Sequence, residues 1–466
     1  MHSLWFVVSM ISFFGLVMPL SVGLSSKQPN IETPSLNDSN LRAELVVEGL
    51  KTPTSIAFLG PDDIIVLEKN PGIVKRVLHG QILNTSLLDV EVANQRHRGL
   101  LGVAVAKQVN ENKPYSVFLY YTESSGQDGN DKCPKVICEK GNDPKGNRLY
   151  KYELNDDGRL VNPELVLDLS ATPGAEHNGG VLKIGPDNNL YLITGDGFAC
   201  SFENADTCKD GQWQETVLRS QRANVKDGLT PDGKGGILRM TQAGEVVGQG
   251  IFGNKYPLSL YYAYGIRNSF GMDFDPVNGK LWDTENGPSF GDEINLVEPG
   301  FNSGWLRIQG MWPIYNSDQL IDGLSPYTGY INKGSENGTA DIRNLVDFGG
   351  KGKYSDPEFV WNQTVGVTGL KFLNSNKLGK NYENDMFVGD LRGNIYNFDL
   401  TADRTALKLY GSLRDKLAES SDQKSLRDVI FGKGFGSVTD LEVGPDGYLY
   451  VVSIWEGKIF RIVPKN

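Results

Sequence analysis

Short runs of apolar residues alternating with polar ones recur along the chain. Each run leads through a turn or loop, several of them Pro-Asp or Asp-rich, into a second apolar run. Residues 56–58 pass through Pro61-Asp62 into 64–67, and residues 181–184 pass through Gly185-Pro186-Asp187 into 190–193. Residues 271–274 lead through Asp275-Pro276 into 280–282, and 441–443 through Gly444-Pro445-Asp446-Gly447 into 448–452. The pairs 102–105 with 117–121 and 369–372 with 385–388 complete six copies. Apolar runs of this length and period are strands, and the Gly, Pro and Asp between them are hairpin chemistry. A third strand follows several of the pairs, as at 148–152, 393–398 and 458–462.

The copies are spaced irregularly, by roughly 45 to 95 residues, because the linking loops differ in length. One small sheet cannot bury both of its faces, whereas sheets stacked radially bury them against one another and leave only short edges. The pattern therefore predicts an all-β fold, a six-bladed β-propeller of four-stranded antiparallel sheets over residues 43–466, with the strand at 43–48 joining the last blade. A β-sandwich pair or another all-β solenoid is the alternative. Residues 403–417 are the best helical candidate.

Composition narrows the setting. With 46 basic against 57 acidic residues the net charge is −11, and no basic stripe offsets it, which argues against nucleic-acid binding. Residues 4–24 carry no charge and are rich in Phe, Val, Leu and Met, so residues 1–24 read as a signal peptide or an N-terminal membrane anchor. Residues 25–42, polar with Pro29 and Pro34, read as a flexible linker. A secreted or extracellular-facing protein follows, tethered if the apolar segment stays uncleaved. Cys133, Cys138, Cys200 and Cys208 form two close pairs, which outside the cell predict two local disulfides. A four-thiolate zinc site is the competing reading, and the spacing fits it poorly. Sequons stand at Asn37, Asn84, Asn337 and Asn362.

Candidate chemistry gathers where the repeats carry unusual residues. The chain has 4 histidines, and His177 stands in Glu176-His177-Asn178-Gly179-Gly180, where the third repeat begins. Asp196 ends the next strand, close enough by topology to orient the imidazole and raise its basicity. A turn histidine bonded to backbone is the other reading. Arg267, in Gly265-Ile266-Arg267-Asn268, opens the fourth repeat and is suited to a carbonyl or carboxylate, or to a structural ion pair. Asp283, Glu285, Asp292 and Glu293 flank a Gly287-Pro288 turn, and carboxylates with turn carbonyls are the oxygen ligands calcium takes.

Taken together and in order, several phrases resemble the soluble glucose/sorbosone dehydrogenase family. They are Arg98-Gly-Leu-Leu-Gly102, His177-Asn-Gly-Gly180, Tyr264-Gly-Ile-Arg-Asn268, Glu285-Asn-Gly-Pro-Ser-Phe-Gly-Asp-Glu-Ile-Asn295, Asn302-Ser-Gly-Trp305 and Val443-Gly-Pro-Asp-Gly-Tyr448. The resemblance runs from about residue 43 to 466. It implies a six-bladed propeller holding pyrroloquinoline quinone and calcium at the mouth of its channel, and hydride transfer from an aldose sugar or other alcohol to the quinone. On that resemblance His177 is the general base, Asp196 its support, Arg267 the guanidinium beside the reactive carbonyl and Asn268 a cofactor contact. Gly287 and Pro288 supply carbonyls to calcium, and Glu176 touches substrate with His177.

The chain departs from the pattern at the cofactor. His97 stands in place of a glutamine, Leu391 in place of a lysine with Arg392 beside it, and Ser437 and Thr439 in place of two arginines. His97 and Arg392 are the residues left to contact the quinone there. Three classes of function are open on the sequence: a quinone- and calcium-dependent dehydrogenase of sugars or alcohols, a non-catalytic calcium-binding propeller for a glycan or protein partner, and a calcium-dependent hydrolase or lactonase. Substrate identity and electron acceptor are not written in the sequence.

Overall fold

Each of the six apolar pairs forms an antiparallel hairpin, and each hairpin begins a sheet. The computed structural model describes residues 34–106, 115–125, 144–171, 174–197, 232–288, 290–305, 308–311, 315–316, 319–320, 345–419, 424 and 426–465. In chain order the first strands of the sheets are Pro53–Gly60, Leu100–Val105, Leu182–Ile184, Ser269–Phe274, Val367–Phe372 and Val438–Val443. Each of these first strands packs beside the first strand of the next sheet, and that of the sixth packs beside that of the first. The result is an all-β propeller.

Apolar side chains fill the seams between successive sheets. Trp282 and Trp361 of the fourth sheet pack on Met386 and Tyr396 of the fifth. Ile56 and Val66 of the first meet Tyr450 and Val452 of the sixth. Full burial of side chains this large is the main favourable contribution, at about 25 cal/mol for each Å² of apolar surface removed from water.

The axis is polar. The second-to-last residue of the first strand is Lys183 in the third sheet, Asp273 in the fourth, Lys371 in the fifth and Glu442 in the sixth. Lys371 Nζ lies 2.9 Å from Glu442 and 3.3 Å from Asp273, and Lys183 donates to the other oxygen of Glu442. Two cations and two anions from four sheets thus form a chain of ion pairs, Lys183–Glu442–Lys371–Asp273.

Some sequence expectations change. The sheets are not uniformly four-stranded: the second and sixth have four strands, while the others gain edge strands and reach five or six. The reason is that the long connections fold back, as Phe301–Asn302 and Lys353–Tyr354 do by pairing in parallel on the third sheet. The linker ends before residue 42, because Ser35–Leu36 pairs with the fifth sheet and Leu41–Glu48 pairs with Lys458–Pro464 at the edge of the sixth. Residues 403–417 are not helical. They hold one 3-10 turn, Gly411–Leu413, where left-handed backbone at Arg404, Gly411 and Lys416 is incompatible with a helix. Residues 1–33 and the four cysteines lie outside the described residues.

Candidate active site

His177 sits just before the first strand of the third sheet with φ 52°, a left-handed conformation uncommon for a side-chain-bearing residue. Two glycines make room for it. A Cβ on Gly179 would lie 2.3 Å from the Ile193 carbonyl, and one on Gly195 would lie 2.3 Å from the His177 carbonyl. The strand ends therefore stack directly, and Asp196 arrives beside the imidazole. His177 Nδ1 lies 2.6 Å from Asp196 Oδ1, which fixes Nδ1 as the protonated nitrogen and Nε2 as the basic one. The other oxygen, Oδ2, accepts from Trp305 Nε1 at 2.9 Å.

Electrostatics keep the imidazole neutral and the carboxylate charged. Burial pushes the His177 pKa down, the Arg267 charge adds to this, and Asp196 opposes both. Burial alone pushes Asp196 up, but the attraction and hydrogen bond of His177, then Arg267 and Trp305, bring it below the usual carboxylate range. A neutral imidazole held by an ionised carboxylate is the arrangement of a general base.

Arg267 is buried and clamped. Its Nη1 donates to the carbonyls of Asn286 at 2.8 Å and Gly287 at 3.1 Å, and its guanidinium lies 5.4 Å from the Trp305 ring centroid. Its main-chain N–H donates to Glu285 Oε1 at 2.6 Å, and Ser303 Oγ donates to the other oxygen. Burial, with Asp283 nearby, pushes the Glu285 pKa up, while the Ser303 and Arg267 hydrogen bonds pull it down. Asn268 follows, and its Oδ1 is buried without a hydrogen-bond partner. Asp292 pins the Gly287 turn: Oδ1 accepts from Gly287 N at 2.9 Å and Oδ2 from Val365 and Gly366 N at 2.8 Å.

His97 and Glu176 complete this wall. His97 Nδ1 accepts from His177 N at 3.0 Å, and Nε2 lies 3.2 Å from Glu176. Burial lowers the His97 pKa well below its usual value, and His177, Lys69, Arg267 and Arg96 push the same way. The ligating atoms of His97, Glu176 and His177 lie within 4.8 Å of one another. They do not make a metal triad, because a His97 whose Nδ1 accepts a backbone N–H carries its proton on Nε2, pointed at Glu176.

A cavity of about 510 Å³ joins these groups. His97, Glu176, His177, Arg267, Asn268 and Gly287 all line it. Three predicted site residues are not in its lining: Arg392, Pro288 and Asp196, the last standing behind His177. Arg392 is exposed and donates to the Thr364 carbonyl, and it is its neighbour Leu391 that faces the cavity. Pro288 lies outside the wall that Gly287 forms. Three residues went unassigned from the sequence. Trp305 stood in a phrase already noted and Arg96 stood beside His97, so both had a signal, whereas Lys69 lines the cavity with nothing in its surroundings to mark it.

The sequence profile of the Glucose / Sorbosone dehydrogenase family matches residues 50–322. The chain belongs to that family. It is 25% identical over 434 residues to the aldose sugar dehydrogenase YliI of Escherichia coli K12, covering 92% of this chain and 94% of that one. It is 30% identical over 275 residues to quinoprotein glucose dehydrogenase B of Acinetobacter calcoaceticus, covering 58% of this chain and 53% of that one. Among solved structures, the PQQ-bound aldose sugar dehydrogenase of Streptomyces coelicolor is similar in fold. Its TM-score is 0.57 at 21% identity, over 92% of this chain and 99% of that one. Family membership agrees with a propeller whose polar groups converge at one cavity rather than along an exposed face.

Proposed function

We propose that this chain is an oxidoreductase that oxidises an aldose sugar in the cavity beside His177. The observation that carries this reading is the His177–Asp196 pair at 2.6 Å, in which His177 lines the cavity together with the buried cation Arg267. The basic Nε2 of His177 takes the proton of the sugar hydroxyl, and Asp196 stabilises the imidazolium that results. Arg267, locked by three hydrogen bonds and a ring, holds a fixed positive charge where negative charge develops, without reorganising. Glu176 meets sugar hydroxyls as an acceptor.

Calcium and pyrroloquinoline quinone are the cofactors proposed with this reading. Asn268 Oδ1, buried and without a partner at the cavity wall, is an acceptor that a bound group would satisfy. The Gly287 turn lines the same wall with its backbone held rigid, and its carbonyl would serve calcium. Leu391, Ser437 and Thr439 offer no charge to the cofactor's carboxylates, and both hydroxyls turn to backbone carbonyls. Lys69 and Arg96, with Arg267, supply the cations instead. Bound there, the quinone would provide the two-electron acceptor and calcium the polarising charge.

We read the ring of sheets as six blades, since six hairpins and six apolar seams support that count. The uncharged segment at 4–24 and the paired cysteines support work outside the cytoplasm. The deciding experiment reconstitutes purified protein with calcium and pyrroloquinoline quinone and follows dye reduction with a panel of aldoses. Sugar-dependent reduction is expected. No reduction with any sugar, while the quinone is seen to bind, overturns the reading.

A further inference from the structure

The general base stands on strained backbone. His177 holds φ 52°, a region that side-chain-bearing residues keep only where their surroundings over-determine it. Two hydrogen bonds do so, one on each side of the residue. Its carbonyl accepts from Gly197 N at 3.2 Å, and its N–H donates to His97 Nδ1 at 3.0 Å. The second bond reaches across from the neighbouring sheet, from a side chain just before Leu100–Val105. The same stretch holds the approach to His177 as well. His97 N donates to the Ala175 carbonyl at 3.1 Å, and Arg98 Nη2 donates to the carbonyls of Ala171 at 2.6 Å and Gly174 at 3.0 Å.

One tautomer of His97 can accept that N–H. Its ring proton must sit on Nε2, and Nε2 lies 3.2 Å from one oxygen of Glu176, which accepts it. The other oxygen of Glu176 lies 3.7 Å from Arg96 Nε. The two histidines therefore carry opposite tautomers: His177 keeps its proton on Nδ1 toward Asp196, and His97 keeps its proton on Nε2 toward Glu176. Their rings lie nearly parallel, with 5.7 Å between centroids and 24° between planes. Lys69, Arg96 and Arg267 face His97 along with His177 and Glu176, and burial with these cations disfavours a charged His97. A neutral ring beside His177 adds no repulsion when His177 takes up its proton.

We propose that His97 is a positioning residue for the oxidation: through Nδ1 it holds the main-chain N–H of His177, and with it the aim of the basic Nε2, rather than serving as a contact of the quinone. This rests on the dehydrogenase reading and assigns a new part in it. A general base works only within hydrogen-bond reach of the proton it takes. The bond to Asp196 sets how the imidazole is turned, but the place of the ring follows from its own Cα. A backbone released from the left-handed region relaxes to an ordinary one and carries Nε2 away from the sugar hydroxyl.

The test uses two amides that each copy one end of the ring. Asparagine places an acceptor oxygen near the position of Nδ1, whereas glutamine reaches to the position of Nε2. On the calcium- and quinone-loaded protein, His97→Ala lowers kcat about 10²-fold, the cost of roughly 1 Å of misplacement, with quinone affinity unchanged. His97→Asn recovers much of that loss, and His97→Gln does not. The second readout is hydrogen exchange of the His177 amide in the unloaded protein, followed by histidine-selective isotope labelling, which is tractable with 4 histidines in the chain. Exchange speeds up in His97→Ala and His97→Gln and stays slow in His97→Asn. The two amide variants decide the matter even if alanine unfolds the loop. Activity kept by glutamine and lost with asparagine overturns the proposal. So does weaker quinone binding with an unchanged His177 amide, which would make His97 a cofactor contact. Should the protein oxidise no aldose, the dehydrogenase reading fails, while the amide exchange still reports whether His97 holds residue 177.

Discussion

Replacing Glu442 by Gln tests the axial network directly. Glu442 is the acceptor shared by Lys183 and Lys371, and the three side chains are only about one-sixth exposed. Burial pushes the Glu442 pKa up, but the two lysines outweigh it and bring it from 4.5 to about 2. At about 1.4 kcal/mol for each tenfold, that fall corresponds to about 3 kcal/mol of stability. Removing one partner of a buried ion pair costs about 3–5 kcal/mol, and the low end applies because Lys371 keeps Asp273 at 3.3 Å. In a unit of roughly 430 residues, about 3 kcal/mol lowers Tm by about 3 °C. The pH profile carries the sign. A depressed carboxyl pKa stabilises above pH 4.5, and that stability is lost as pH falls from there toward 2, because the unfolded chain then binds the proton first. The wild-type protein therefore loses stability over this window more steeply than Glu442→Gln. Calorimetry of Glu442→Gln, Lys183→Met and the double variant completes the cycle. The double variant recovers at least about 1.5 kcal/mol relative to the sum of the singles, since no unpaired lysine remains. Additive losses within about 0.5 kcal/mol would show that the ion pairs contribute nothing beyond packing.

Four further outcomes follow from the site and the sequence. His177→Gln lowers kcat by about 10²–10⁴-fold with Tm unchanged within a degree or two, checked by dye reduction and calorimetry. In the wild-type enzyme, because the His177 pKa lies below 6.5, kcat/KM stays level on acidification past pH 6.5 and falls only as the imidazole protonates at lower pH. Trp305→Phe leaves Asp196 Oδ2 short of its 2.9 Å donor, so kcat drops about tenfold and stability by about 1–3 kcal/mol. Peptide mapping without reductant should recover Cys133–Cys138 and Cys200–Cys208 links, and free thiols or a cross-pair would remove the disulfide argument for export.

The hairpins were legible because a Pro-Asp or Gly-Pro-Asp turn between two apolar runs has few other uses. His177, Asp196 and Arg267 were legible because inner-strand ends of neighbouring sheets must meet at the axis, so a rare histidine at one end and a carboxylate at the next have one place to converge. Trp305 is 109 residues from Asp196, and no local pattern connects the two. Arg392 shows the limit of register. The turn at 390–394 is closed by Asp390, which accepts from the N–H groups of Arg392 and Asn394 at 2.9 and 2.8 Å, and this sends Leu391 rather than Arg392 to the cavity. One residue of offset in a tight turn changes which side chain faces the axis, and composition carries no sign of it. The axial chain of ion pairs was hidden for a different reason. Lys183, Asp273, Lys371 and Glu442 each look like an ordinary polar position on a half-buried strand, and only ring closure makes them neighbours.

The pairing of Leu41–Glu48 with Lys458–Pro464 has a consequence during synthesis. The two partners are separated by more than 400 residues, and seven residue pairs join them. At about 5–20 residues per second, the first strand leaves the ribosome roughly 20–80 seconds before its partner exists. Throughout that interval it is an unpaired edge, waiting for the sheet that it completes. A premature stop that removed only the last nine residues would leave every site residue in the chain and still deny the circle its clasp. Late truncations in this protein should therefore behave as folding defects, found in aggregates or cleared by proteases, rather than as enzymes with a trimmed tail.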